Sequence, residues 1–165
     1  MTNGPFSSVA PHAQLRIGAA REKQKDYDSA VKAYATAADR YYNQPVIAAD
    51  ALYREGIAYQ KQAATAEYDQ GTAAKAIAAY TDFKTLFPND PRVPDADKAI
   101  TALKAQQVEG NFKVAQFYEQ NKVLNAEQRR AGARVYYNEV LQLDPNSPYA
   151  AQAKQRLAQI NPPAS

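Results

Sequence analysis

Apolar positions along this chain recur at helical spacing, in runs separated by Asn, Pro and Gly. The first run extends from about Ala10 to Gln24, with Leu15, Ile17, Gly18 and Ala20 turned inward, and Lys25-Asp26 makes a short turn. The second, from Tyr27 to Tyr41, carries Ala30, Val31, Tyr34 and Ala37 on one stripe. After Asn43-Gln-Pro45, a third run from Val46 to Ala66 holds Leu52, Tyr53, Gly56, Ile57 and Tyr59, and residues Glu67 to Gly71 interrupt it. The fourth, Thr72 to Phe87, carries Ala76, Ile77, Tyr80, Phe83 and Leu86. The fifth reads as one long helix from Asp95 to Gln120, through Ala99, Ile100, Leu103, Val108, Phe112, Ala115 and Tyr118, with Gly110 as the place where it could kink or split. Asn125-Ala-Glu-Gln128 has the form of a capping box and opens a sixth helix that ends at Leu143, carrying Val135, Tyr136, Val140, Leu141 and Leu143. Asp144-Pro145 stops it, because the residue before proline is pushed out of the α region. Ser147 can cap a seventh helix, Pro148 to Ile160, with proline in the first turn, where its missing N–H costs nothing; Asn161 to Ser165 is a tail.

The punctuation repeats. Asn3-Gly-Pro5, Asn43-Gln-Pro45, Asn89-Asp-Pro91 and Asn146-Ser-Pro148 are four copies of Asn-x-Pro, each followed by an Ala-rich helical run, at intervals of 40, 46 and 57 residues. Self-similarity near this period marks a helical repeat array. The expected fold is all-α: a right-handed α-solenoid of about three helical hairpins, at 9–44, 45–91 and 94–145, plus a capping helix over 147–160, in one domain spanning 1–165. The joint at Asn3 has no helix before it, so the chain reads as the middle and end of a longer array.

Composition supports helix. Of 165 residues, 34 are Ala, and twelve Tyr and five Phe supply the bulk. The net charge of +3, read as spread along the chain, argues against nucleic acid as a partner. No Cys is present, which leaves the redox compartment open. No apolar run approaches a membrane span, and no basic-then-apolar leader is visible.

With the hairpins in place, the residues resemble the tetratricopeptide-repeat family. Its pattern sets a small residue twelve before an Ala, an aromatic four after that Ala, and a Pro twelve after it. Gly18, Ala30 and Tyr34 keep the first two intervals; Ala76, Tyr80 and Pro88, and Ala133, Tyr137 and Pro145, keep the later two. Gly56 to Ala76 and Ala115 to Ala133 are longer, at 20 and 18 residues, and Pro45 is late by three. The extended hairpins, the long helix after Phe87-Pro-Asn-Asp-Pro91 and the segment Phe112-Lys-Val-Ala-Gln-Phe-Tyr118 are similar to the BamD family of outer-membrane assembly (competence) lipoproteins. That resemblance covers roughly Leu15 to Ile160. It implies a periplasmic, outer-membrane-associated scaffold whose partners are outer-membrane assembly subunits and unfolded barrel proteins. This chain lacks the family's N-terminal repeat, signal sequence and lipid-bearing Cys. Repeat proteins that coordinate cell division in the periplasm share the Pro-Asn-Ser-Pro joint but have more even repeats near 36 residues. An accessory repeat domain of a larger enzyme is a rival from another class.

Catalytic chemistry is not visible. His12 is the only His, near a helix start, where it reads as a surface residue, and no Ser/His elbow or Gly-rich phosphate loop accompanies it. Without Cys and with one His, no His/Cys metal constellation can form, so the expectation is a non-enzyme without cofactor or metal. Asp26 and Asp28 fit capping or solvation in a turn. Arg129, Arg130 and Arg134 share one helix, as a solvated face or as a contact for an acidic partner segment. In such arrays the first helices of each pair line a groove. Tyr53, Gln60, Lys61, Phe112, Gln116 and Glu119 are the candidate partner-binding residues, although Tyr53 and Phe112 could equally pack on the adjacent hairpin. Relatives that grip a peptide's terminal carboxylate carry Asn where this chain has Ala19 and Ile57, which argues against that mode.

Overall fold

The computed structural model describes residues 6–65 and 70–160. Among them every regular element is an α-helix: α1 Phe6–Lys23, α2 Tyr27–Arg40, α3 Pro45–Ala63, α4 Gln70–Leu86, α5 Val93–Gln120, α6 Ala126–Leu143 and α7 Pro148–Ile160. The first Asn-x-Pro joint at residues 3–5, residues 67–69 of the interruption and the tail 161–165 lie outside the described residues; Gln70 and Gly71 already belong to α4.

The helix ends follow from the residues that mark them. Asp26 caps α2, its side chain accepting from the Ser29 N–H at 3.2 Å. Pro45 occupies the first turn of α3 rather than preceding it. Asn125 and Gln128 form the reciprocal capping box of α6, at 2.9 and 3.1 Å. Asp144 is extended before Pro145, and Ser147 Oγ accepts from the Ala150 N–H to start α7. Lys25 closes α1 with φ 60°, a conformation that glycine adopts more easily at a helix C-terminus. Two expectations change. α1 begins before Ala10 and tolerates Pro11 inside it, at the cost of one backbone hydrogen bond. α5 passes through Gly110 as one helix of 28 residues, neither kinked into two elements nor split.

The chain divides into two compact units, Met1–Leu103 and Lys104–Ser165. In the first, α1 packs on α2, α2 on α3 and α3 on α4, and α1 also meets α3. Its core is Leu15, Val31, Tyr34 and Ile47 in one cluster and Tyr80, Phe83, Ala96 and Leu103 in the next. In the second, Val108, Phe112 and Ala115 of α5 meet Ala133, Tyr137 and Val140 of α6 and Ala153 of α7.

Four residues expected inside are exposed: Ile17 (49%), Ala20, Leu86 (64%) and Val135 (54%). On α1 the buried line runs through Pro11, Leu15 and Gly18, so Ile17 and Ala20 fall to its sides. On α6 it runs through Ala133, Tyr137 and Val140, with Val135 on the far side. Leu86 is the last residue of α4, and Phe87 takes the core place instead, 6.3 Å from the Phe83 ring.

Candidate functional site

Three buried tyrosines, Tyr34, Tyr80 and Tyr137, position the candidate residues. Each ring lies against the preceding helix where a small residue leaves room. A Cβ on Gly18 would stand 2.6 and 2.8 Å from Tyr34 Cδ1 and Cζ, and one on Gly56 would stand 2.8 Å from Tyr80 Cδ1 and Cε1. Each hydroxyl then reaches the side chain four residues beyond the small position of its hairpin. Tyr34 donates to Glu22 at 2.9 Å, Tyr80 to Gln60 at 2.8 Å and Tyr137 to Glu119 at 2.6 Å. Glu22, Gln60 and Glu119 follow Gly18, Gly56 and Ala115 by the same four residues, so one lock recurs in all three hairpins despite their different lengths. Burial, and then the neighbouring carboxylate, push the Tyr34 and Tyr137 phenols up to about 12. Burial likewise raises Tyr80. All three remain neutral donors at physiological pH, fit for structure rather than for nucleophilic work.

This packing decides where the six expected groove residues stand. Tyr53 is half-buried against Tyr80 and Phe83, at ring distances of 5.8 and 5.2 Å, with the Arg92 guanidinium 4.9 Å over its face. Arg92 is in turn held by Asp50 and Asp90, each at 2.8 Å. Phe112 is buried, 5.5 Å from Tyr137 and 5.0 Å from Tyr149. Phe112 is thus enclosed by α6 and α7, and half-buried Tyr53 packs on α4. Gln60 accepts from Tyr80, and Lys61 pairs with Glu22 at 2.5 Å, tying α3 back to α1. Glu119 takes the Tyr137 hydroxyl and the Arg156 guanidinium together, at 2.6 and 2.9 Å. Gln116 and Lys61 are the two of the six that are exposed. Tyr53, Gln60 and Lys61 belong to the first unit; Phe112, Gln116 and Glu119 belong to the second.

Two features escaped the sequence reading. The first is Glu55 on α3, whose carboxyl is pushed up to about 7 by burial and then by the carboxylates of Asp39 on α2 and Asp82 on α4. Three helices contribute one acid each, so no window of sequence displays the group. The folded state holds the Glu55 proton more tightly than the unfolded chain does. Its contribution to stability is complete below about pH 4.5 and is lost as pH rises toward 7. Glu55→Gln should raise stability at pH 8 by about 1 kcal/mol, the full shift being reduced by partial exposure to solvent, and should leave it unchanged at pH 4. Urea melts of both proteins at the two pH values measure this; an equal difference at both would show that the carboxyl titrates normally.

The second is the distribution of charge. Residues 1–103 hold twelve basic and twelve acidic side chains, whereas 104–165 hold eight basic and five acidic. The whole excess of +3 lies in the second unit rather than along the chain. There Glu119, Ala126, Arg129, Arg130 and Ile160 line an open cleft of about 150 Å³. Arg129 is half-buried and donates to the Asn121 carbonyl at 3.3 Å; Arg130 and Arg134 are exposed.

Among the described residues no group of His, Asp or Glu is arranged to hold a metal ion, and no helix is long and apolar enough to cross a membrane. Comparison with protein families gives a match to the tetratricopeptide repeat over residues 12–41 and 50–90, the segments that contain Gly18, Ala30 and Tyr34 and then Gly56, Ala76 and Tyr80. No curated protein matches the chain.

Proposed function

We propose that this chain, which carries tetratricopeptide repeats, is a non-enzymatic scaffold that binds other proteins. The observation that carries the reading is the recurring tyrosine lock. It spends the bulky side chains and several charged groups on joining helices, and leaves helix faces as the working surface. We further propose a role like that of the BamD family, in the periplasm beneath the outer membrane, with the barrel-assembly machinery and its unfolded barrel substrates as partners. α5 supports this finer reading, since the resemblance rests on a long helix after Phe87-Pro-Asn-Asp-Pro91 that runs unbroken into Phe112 to Tyr118. Cross-linking of the full-length protein in its host, with identification of the captured proteins, is the test. Outer-membrane assembly proteins among them support the finer reading, and recovery of cytoplasmic proteins only would contradict it.

A further inference from the structure

The cleft in the second unit has a chemistry that the tyrosine locks do not use. Glu119, its one acidic lining residue, is already neutralised: its Oε2 accepts from the Tyr137 hydroxyl and from Nε and Nη2 of Arg156 at 2.6, 3.1 and 2.9 Å. The two remaining charges, Arg129 and Arg130, meet no carboxylate among the described residues. One N–H of Arg129 is spent on the Asn121 carbonyl, which fixes its guanidinium and leaves the other donors free. Ala126 and Ile160 complete the lining with apolar surface. A small, partly apolar cleft with two uncompensated guanidiniums is complementary to a carboxylate, which arginine binds in a two-pronged geometry.

We propose that this cleft docks an acidic peptide segment of a protein partner, an Asp or Glu side chain meeting Arg129 and Arg130 and an apolar neighbour resting on Ile160 and Ala126. The proposal rests on the interaction-scaffold reading and gives it a location and a partner chemistry. Charge complementarity favours a peptide over a nucleic acid. A phosphate backbone repeats its charge over a long path and calls for an equally extended basic track. Here the excess charge is small and confined to residues 104–165, and the cleft carries apolar groups.

Fluorescence anisotropy on the whole chain tests it, with a short, terminally blocked peptide of glutamates around one leucine as the probe. The Gln counterpart of that peptide and a labelled oligothymidylate of equal charge serve as comparisons. The acidic peptide should bind, the Gln peptide should not, and salt at about 0.5 M should abolish the difference. Arg130→Gln should weaken binding about fivefold, and Arg129→Gln combined with it more than tenfold. Lys98→Gln on α5, in the first unit, should leave binding unchanged. Arg129 also holds the Asn121 carbonyl, so helicity and melting are checked for the double variant; Arg130→Gln removes no hydrogen bond and stands on its own. Equal binding by wild type and Arg130→Gln, no binding of the acidic peptide, or tighter binding of the oligothymidylate would each overturn the proposal. If it falls, the scaffold reading survives where the double variant still cross-links the wild-type set of proteins in the host. Both fall where the wild type cross-links none.

Discussion

Tyr137→Ala should lower the stability of the chain by about 3–5 kcal/mol, the range for truncating a buried aromatic. Tyr137 has no exposed surface, its ring meets Phe112 at 5.5 Å, and its hydroxyl donates to Glu119 at 2.6 Å. Truncation would open a cavity among Phe112, Val140 and Ala153 and would leave Glu119 to Arg156 alone. Tyr137→Phe separates the two contributions. It keeps the ring, loses one charge-assisted hydrogen bond and should cost about 1–2 kcal/mol. Urea unfolding of the three proteins gives the comparison. Because burial and Glu119 push the phenol up to about 12, this contribution is complete below pH 10 and is lost as pH rises toward 12. A Tyr137→Ala protein that melts within a degree of wild type would contradict the packing.

Gly18→Ala sets two effects of opposite sign against each other. In an exposed helix the change would stabilise by about 1 kcal/mol. Here the new Cβ would fall 2.6 and 2.8 Å from Cδ1 and Cζ of Tyr34, with Cε1 nearer still. The ring cannot yield cheaply, since it is fully buried and its hydroxyl is held by Glu22. Overpacking of this kind costs about 1–3 kcal/mol, and so short an approach belongs at or beyond the upper end. A net loss of about 2 kcal/mol follows once the helix gain is subtracted. Stabilisation by Gly18→Ala in the same urea melts would show that the Gly-Tyr interval records ancestry rather than contact.

How much of this was legible in the sequence varies by residue. The helix joints among the described residues were, because Asn-x-Pro, the Asn125–Gln128 box and the Asp144-Pro145 stop act through the backbone within a few residues. The hairpin register was too: the spacing of Gly18, Ala30 and Tyr34 is a statement about one helix touching the next. Facing was less secure. Ile17 and Val135 are apolar and close in sequence to buried positions, yet a helix turns about 100° per residue, and their neighbours set the buried line elsewhere. The partner surface was hardest to read. Glu119 looked like a free groove residue until the fold brought Tyr137 and Arg156 to it. Arg129 and Arg130 were visible as a pair, but Ile160 joins them only through the packing of α7 on α6. Glu55 owes its raised pKa to acids on two other helices, which no local pattern reveals.

If the chain works by binding another protein, site-specific photo-cross-linking in the host should capture that protein. A photoreactive residue would be placed in turn at Gln116, Arg130 and Lys98, all exposed. A discrete protein adduct should form from Arg130, at the basic cleft, and none from Lys98. Absence of a protein adduct at every position would contradict the scaffold reading.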